Sequence, residues 1–256
     1  LPLPQTPPPF FMSSKFFSEE IPPFVCREEP LSRLHMALDQ VMAGKGQIML
    51  VTGSAGQGKT ALVYEFIHQA LKAHPNMAAA WGNSHAYFGS GDPFLPFREI
   101  MEMLSGQVEH RWEAGSITHN LARRLWRLAA PCAQALVECG SALIGTFVPG
   151  RTLFQRVSHV VPQQVSWLTR LQEIIDQEYG GSPAAMDDLF QQYSCVLDRL
   201  SQHVPLILFV DDLQWADQDS LGLFFYLSRK ISNSQILLLG NFRPVEEYIS
   251  DPGSSP

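Results

Sequence analysis

The chain predicts an α/β fold: a parallel sheet with helices on both faces, in three layers. Three observations lead there. Short apolar runs of strand length, "QIMLVT" (47–52), "PLILFVDD" (205–212) and "QILLLGNF" (235–242), alternate with stretches of helical periodicity. A glycine-rich loop, "VTGSAGQGKT" (51–60), joins the first run to a helix. The run at 205–212 is too apolar for a half-exposed strand and ends in two aspartates. Strands that alternate with helices in this way form parallel sheets through right-handed crossovers.

The elements follow in order. Residues 1–23 hold seven prolines, which remove backbone donors and fix φ, so this stretch reads as an extended linker. The folded domain is expected over 24–248. Leu31, Leu34, Leu38 and Val41 recur at helical spacing, and Gly44 and Gly46 end that helix. After strand 47–52 and the glycine loop, Leu62, Val63, Phe66, Ile67, Ala70 and Leu71 mark one face of a helix limited by Pro75. "MAAAWGN" (77–83) is a second strand.

Residues about 95–203 read as a mostly helical insertion. One stripe is Leu121, Leu125 and Leu128. Another is Leu189, Tyr193, Val196 and Leu200, with Asp187 or Asp188 placed to cap it. Segment 145–165 has a weak pattern and is expected to be loop. A helix over about 217–230 separates the last two strands. Residues 249–256 read as a disordered tail that stops abruptly, and the chain is expected to be a fragment of a longer protein.

Composition narrows the function. Of 256 residues, 45% are hydrophobic and 17% charged, and the formal charge is −7. This is globular, and the acidic balance argues against a broad nucleic-acid face. Arg111, Arg123, Arg124 and Arg127 gather around Trp112 and Trp126, a pattern that suits either stacking on nucleic acid or, more commonly, a solvated helix face over packed tryptophans. Cys26, Cys132, Cys139 and Cys195 fit no zinc spacing and read as free thiols in a reducing, cytoplasmic setting. No apolar run approaches the ~20 residues that span a bilayer. The eight histidines show no metal-binding spacing.

Ligands of such sheets bind at the carboxyl ends of the strands, where the glycine loop, Asp211–Asp212 and Arg243 all fall. Gly53-Ser54-Ala55-Gly56-Gln57-Gly58-Lys59-Thr60 matches G-x-x-x-x-G-K-[ST], the P-loop pattern, at every position. Glycines let backbone N–H groups curl around a phosphate, and the following helix points its positive end there. Lys59 adds charge against the β- and γ-oxygens, and Thr60 offers a hydroxyl to Mg²⁺. Asp211 then holds the metal through water and Asp212 polarises the attacking water. Adjacent aspartates also suit a helix cap. Arg243 suits a γ-phosphate, or a surface position before a turn-forming proline.

"PPFVCREEPLSRL", "VTGSAGQGKTAL", "LILFVDDLQWADQDSLGLFFYLSRK" and "ILLLGNFRP" together resemble the STAND class of signal-transduction ATPases, and more closely the AAA-type ATPase module of large bacterial regulators with LuxR-type, cyclase or tetratricopeptide-repeat regions. The resemblance covers about 22–248. It implies a P-loop NTPase sandwich that binds Mg·ATP and hydrolyses it slowly as a switch. Val25 and Arg27 fall on the adenine-pocket positions, Asp211 and Asp212 on the paired acidic positions and Arg243 on the sensor arginine. Cys26 stands where the family usually has glycine. The partners implied are effector domains, a C-terminal lid and strand beyond this chain, and nucleotide-dependent self-association. In such a fold the glycine-loop strand lies beside the 235–241 strand at an edge left open in this chain, with its apolar side chains partly uncovered and solubility poor. Two other functions stay open: an AAA+ motor acting on DNA, and a module that binds nucleotide without turnover.

Overall fold

A computed structural model describes residues 28–84, 93–162, 165–177 and 186–244. The first helix, α1 (Glu28–Met42), buries Leu34, Ala37, Leu38 and Val41. Strand β1 (Gln47–Thr52) leads through the glycine loop into α2 (Lys59–Ala73), and β2 (Ala78–Asn83) follows. Next come α3 (Leu95–Leu104), α4 (Glu109–Glu113), α5 (His119–Cys139), α6 (Gly150–Ser158), α7 (Ser166–Gln177) and α8 (Met186–Ser201). Strand β3 (Leu206–Asp211), α9 (Gln218–Lys230) and β4 (Ile236–Phe242) complete the described chain.

The four strands form one parallel sheet in the order β1-β4-β3-β2. Every residue of β3 is buried, so helices cover both of its faces, as a period-two strand requires. On β4, Gly240 leaves room for Leu213, Leu50 and Phe224 of α9, all within 3.1 Å or less of where its Cβ would stand. At β1 no described strand covers the outer edge, in line with the expected order. Among the described residues its sole partner is β4, and Ile48 and Leu50 are 38% and 48% exposed. The three-layer α/β architecture therefore holds, with β3 in the interior.

The helical stretch packs around the other edge. Helix α3 lies against β2, and α5 packs on α3, α6, α7, α8 and β2. Arg124 of α5 donates to the carbonyls of Leu71, His74 and Met77 at 2.8, 3.0 and 3.0 Å, so it closes the carboxyl end of α2 and the approach to β2. Tyr193 of α8 is fully buried and donates to Phe97 O at 2.9 Å.

Four expectations need correction. Residues 150–158 form α6 rather than loop, because Leu153 and Val157, a helical turn apart, are both fully buried. Asp187 and Asp188 lie inside the first turn of α8, which starts at Met186, so they act on its helix dipole rather than as caps. The arginine cluster is not a uniform solvated face. Arg124 caps α2, and Arg111 pairs with Glu99 at 3.1 Å, while Arg123 is exposed and Trp126 is buried. Cys139 and Cys195 are not free thiols. The packing of α5 on α8 brings their Cα atoms to 6.2 Å, within disulfide reach, and they are bonded. Cys132 is free and buried, and burial pushes its thiol up to about 12. Cys26 lies outside the described residues.

Candidate functional site

The site forms where β1, β3 and β4 end. Beyond Thr52 the chain cannot continue as strand, because Gly56 and Gly58 adopt φ of 73° and 70°, the left-handed region that glycine enters at low cost. Gly58 is the N-cap of α2, and Leu62 N–H donates to its carbonyl at 2.9 Å, so the helix starts with its N–H groups aimed back into the loop. Gln57 folds over the loop and accepts from Ser54 N–H at 3.1 Å. Ala55, Gly56, Gln57 and Gly58 are exposed, whereas Lys59 is buried. The Lys59 ammonium donates to Gly53 O at 2.7 Å and Ser54 O at 2.9 Å, which holds its charge across the loop.

Thr60, Asp211 and Asp212 lie together beside that loop, and the backbone of Arg243 reaches them through Gln214. Thr60 Oγ1 donates to Asp211 Oδ1 at 3.0 Å. Burial pushes the Asp211 carboxyl above the ordinary aspartate range and the neighbouring Asp212 adds to this, while hydrogen bonds from Asn241, Thr60 and the Asp212 backbone oppose it. A buried acid of this kind gains from a cation that shares its oxygens. Tyr64 of α2 lies on Trp81 and Phe209, with ring centroids 5.4 and 5.9 Å away. Burial, then the Asp211 charge, raises its hydroxyl to about 12, so it is neutral at physiological pH.

Two side chains of the candidate site escaped the sequence reading. Asn241 of β4 is fully buried, donates to Thr60 Oγ1 at 3.2 Å and accepts from Asp212 N–H at 2.6 Å. Its signal was a lone polar residue at the carboxyl end of an apolar strand. Gln214 follows β3 in a single 3-10 turn, Leu213–Trp215, and donates to Asp212 Oδ1 at 2.8 Å. It also accepts from Arg243 N–H at 3.2 Å. Arg243 Nε is buried with no hydrogen-bond partner among the described residues. At the next strand end, Asn83 N–H donates to Glu99 at 3.0 Å, and Glu99 pairs with Arg111. Val25 and Arg27, the predicted adenine contacts, lie outside the described residues.

Among the described residues no helix is long and apolar enough to cross a membrane. None gathers three or more His, Cys, Asp or Glu side chains for a metal either. The oxygen donors at hand are the Thr60 hydroxyl and the Asp211 carboxylate, a hard, sparse set of the kind Mg²⁺ uses while keeping several waters. No curated protein matches the chain. A family model described as "AAA ATPase domain" matches residues 23–239, which takes in the loop, the acidic pair and most of β4. That match spans most of the chain, and the chain belongs to the AAA ATPase domain family.

Proposed function

We propose that this domain is a Mg·ATP-binding, slowly hydrolysing switch of the STAND type within a multidomain signalling or transcriptional regulator. One observation carries the reading: the hydroxyl and the two aspartates predicted for nucleotide chemistry belong to one connected network, Asp211–Thr60–Asn241–Asp212–Gln214, which reaches the backbone N–H of Arg243, beside a glycine loop with a buried lysine. In this reading the backbone of Gly53, Ser54, Ala55, Gly56, Gln57 and Gly58 cradles the phosphates and Lys59 neutralises their charge. Thr60 and Asp211 would hold Mg²⁺, which supplies charge neutralisation at the phosphate oxygens when bound. Asp212 orients and deprotonates the attacking water. Arg243, whose buried Nε has no hydrogen-bond partner among the described residues, reads the γ-phosphate. Val25 and Arg27 contact adenine.

The open outer edge of β1, with Ile48 and Leu50 exposed, supports a further strand and lid as partners, together with effector domains and nucleotide-dependent self-association. ATP as cofactor favours a cytoplasmic location. The Cys139–Cys195 bridge stands against it, because cytosolic thiol chemistry reduces such bonds.

Asp212→Asn tests the division of labour. Mg·ATP affinity is expected to stay within about threefold, while turnover falls by roughly 100-fold or more, the scale of a lost general base. Calorimetry and steady-state hydrolysis measure the two. Equal damage to both contradicts the assignment, and a parent that binds ATP without turnover makes the domain a pure nucleotide-binding module.

A further inference from the structure

We propose that Gln214 is a positioning residue that ties the Asp212 carboxylate to the end of β4 at Arg243, so that the acid and the arginine's strand end move as one. The inference rests on the ATPase reading above and adds a residue and a coupling to it.

Asp212 has φ of 54°, one of two non-glycine residues in the left-handed region among those described. Such a conformation is strained for a residue with a side chain and persists only where surrounding contacts offset the strain. Asn241 holds the backbone by accepting the Asp212 N–H. That contact fixes where the side chain starts but leaves both of its torsions free. Gln214 supplies the missing constraint, because its Nε2 donates to Asp212 Oδ1 at 2.8 Å. The bond engages one carboxylate oxygen and leaves the other for chemistry.

The other end of the same amide faces β4. Gln214 Oε1 accepts from Arg243 N–H at 3.2 Å. A neutral side-chain amide can donate to a carboxylate and accept from a backbone N–H at once; a carboxylate or an ammonium can do one of these only. The turn that carries Gln214 is itself anchored on β4, since the Leu213 side chain fills the space above Gly240. A shift of the chain at Arg243 therefore pulls on Gln214 and re-aims Asp212. Through this bridge the residue proposed to read the γ-phosphate acts on the residue proposed to aim the water.

Two variants divide the bridge. Gln214→Glu keeps the acceptor for Arg243 N–H and loses the donor to Asp212. Gln214→Met, of similar length, loses both. The whole protein is assayed for ATP affinity by calorimetry, for turnover, and for hydrogen exchange at the Arg243 amide. Both variants are expected to lose about tenfold or more in turnover with ATP affinity within about threefold of the parent. The Arg243 amide is expected to stay protected in Gln214→Glu and to exchange about tenfold faster in Gln214→Met. In an Asp212→Asn background, Gln214→Met is expected to slow turnover no further. Turnover within twofold of the parent in both variants overturns the proposal, as does loss of ATP affinity in step with rate, or unchanged Arg243 exchange in Gln214→Met. A parent with no turnover sinks the ATPase reading separately, and the exchange pattern then decides the bridge by itself.

Discussion

Strands β1 and β2 are the two outer strands of one sheet, yet they meet opposite surroundings. Five of the six residues of β2 are buried, whereas β1 alternates between half-buried and exposed. Their sequences would suggest the reverse. "AAAWGN" is mostly small, while "QIMLVT" is rich in large apolar side chains. The small residues are what let a helix come close. At Gly82 a Cβ would collide with the backbone of Pro96, so α3 packs directly on the strand. Beyond α3, Arg124 ties α5 to the carbonyls just before β2. On β1, by contrast, Ile48 and Leu50 keep 38% and 48% of their surface exposed, although Leu50 leans over Gly240 of β4. The hydrophobicity of an edge strand thus reports what it can bury, and small residues report where something already lies close.

The comparison also places the site. The glycine loop leaves from the open edge, and the acidic pair ends the buried interior strand. The covered edge carries the helical stretch packed on β2, and the outer edge of β1 has no partner strand among the described residues.

The sharpest way to break this contrast is Gly82→Ala. The added methyl meets backbone rather than a flexible side chain, so α3 must shift, and a loss of about 2–3 kcal/mol is expected. For a domain of this size that is roughly 5–10 °C in Tm, read by calorimetry. A change below 1 °C would show that α3 is not packed on β2 as described. At the opposite edge, Ile48→Thr keeps a β-branched side chain on a position 38% exposed. Stability is expected to stay within about 0.5 kcal/mol while self-association in light scattering decreases. A loss as large as that at Gly82 would mean that β1 is covered after all.

Much of this was legible in the sequence, and the rest failed for physical reasons. Strands β3 and β4 announced themselves because burial on both faces demands unbroken apolar runs. The glycine loop was readable because its backbone geometry tolerates few residue types. Helix α6 was missed because Leu153 and Val157 are its main apolar signal in nine residues, too short for periodicity to stand out. The Cys139–Cys195 bond joins residues 56 apart whose meeting depends on how α5 packs on α8, which spacing cannot encode. Gln214 stood in a quoted motif, but its role comes from an amide that spans two strand ends. Only the fold brings Asp212 and Arg243 to the two sides of that amide.

The central claim is that the loop before α2 binds the phosphates of Mg·ATP through its backbone and Lys59. Calorimetric titration of Mg·ATP into the parent and into folded Lys59→Ala tests it most directly. Charge-assisted contacts of this kind contribute roughly 1.5–3 kcal/mol, so affinity is expected to fall about 10- to 100-fold or beyond detection. A folded Lys59→Ala protein that binds Mg·ATP as tightly as the parent would contradict the account.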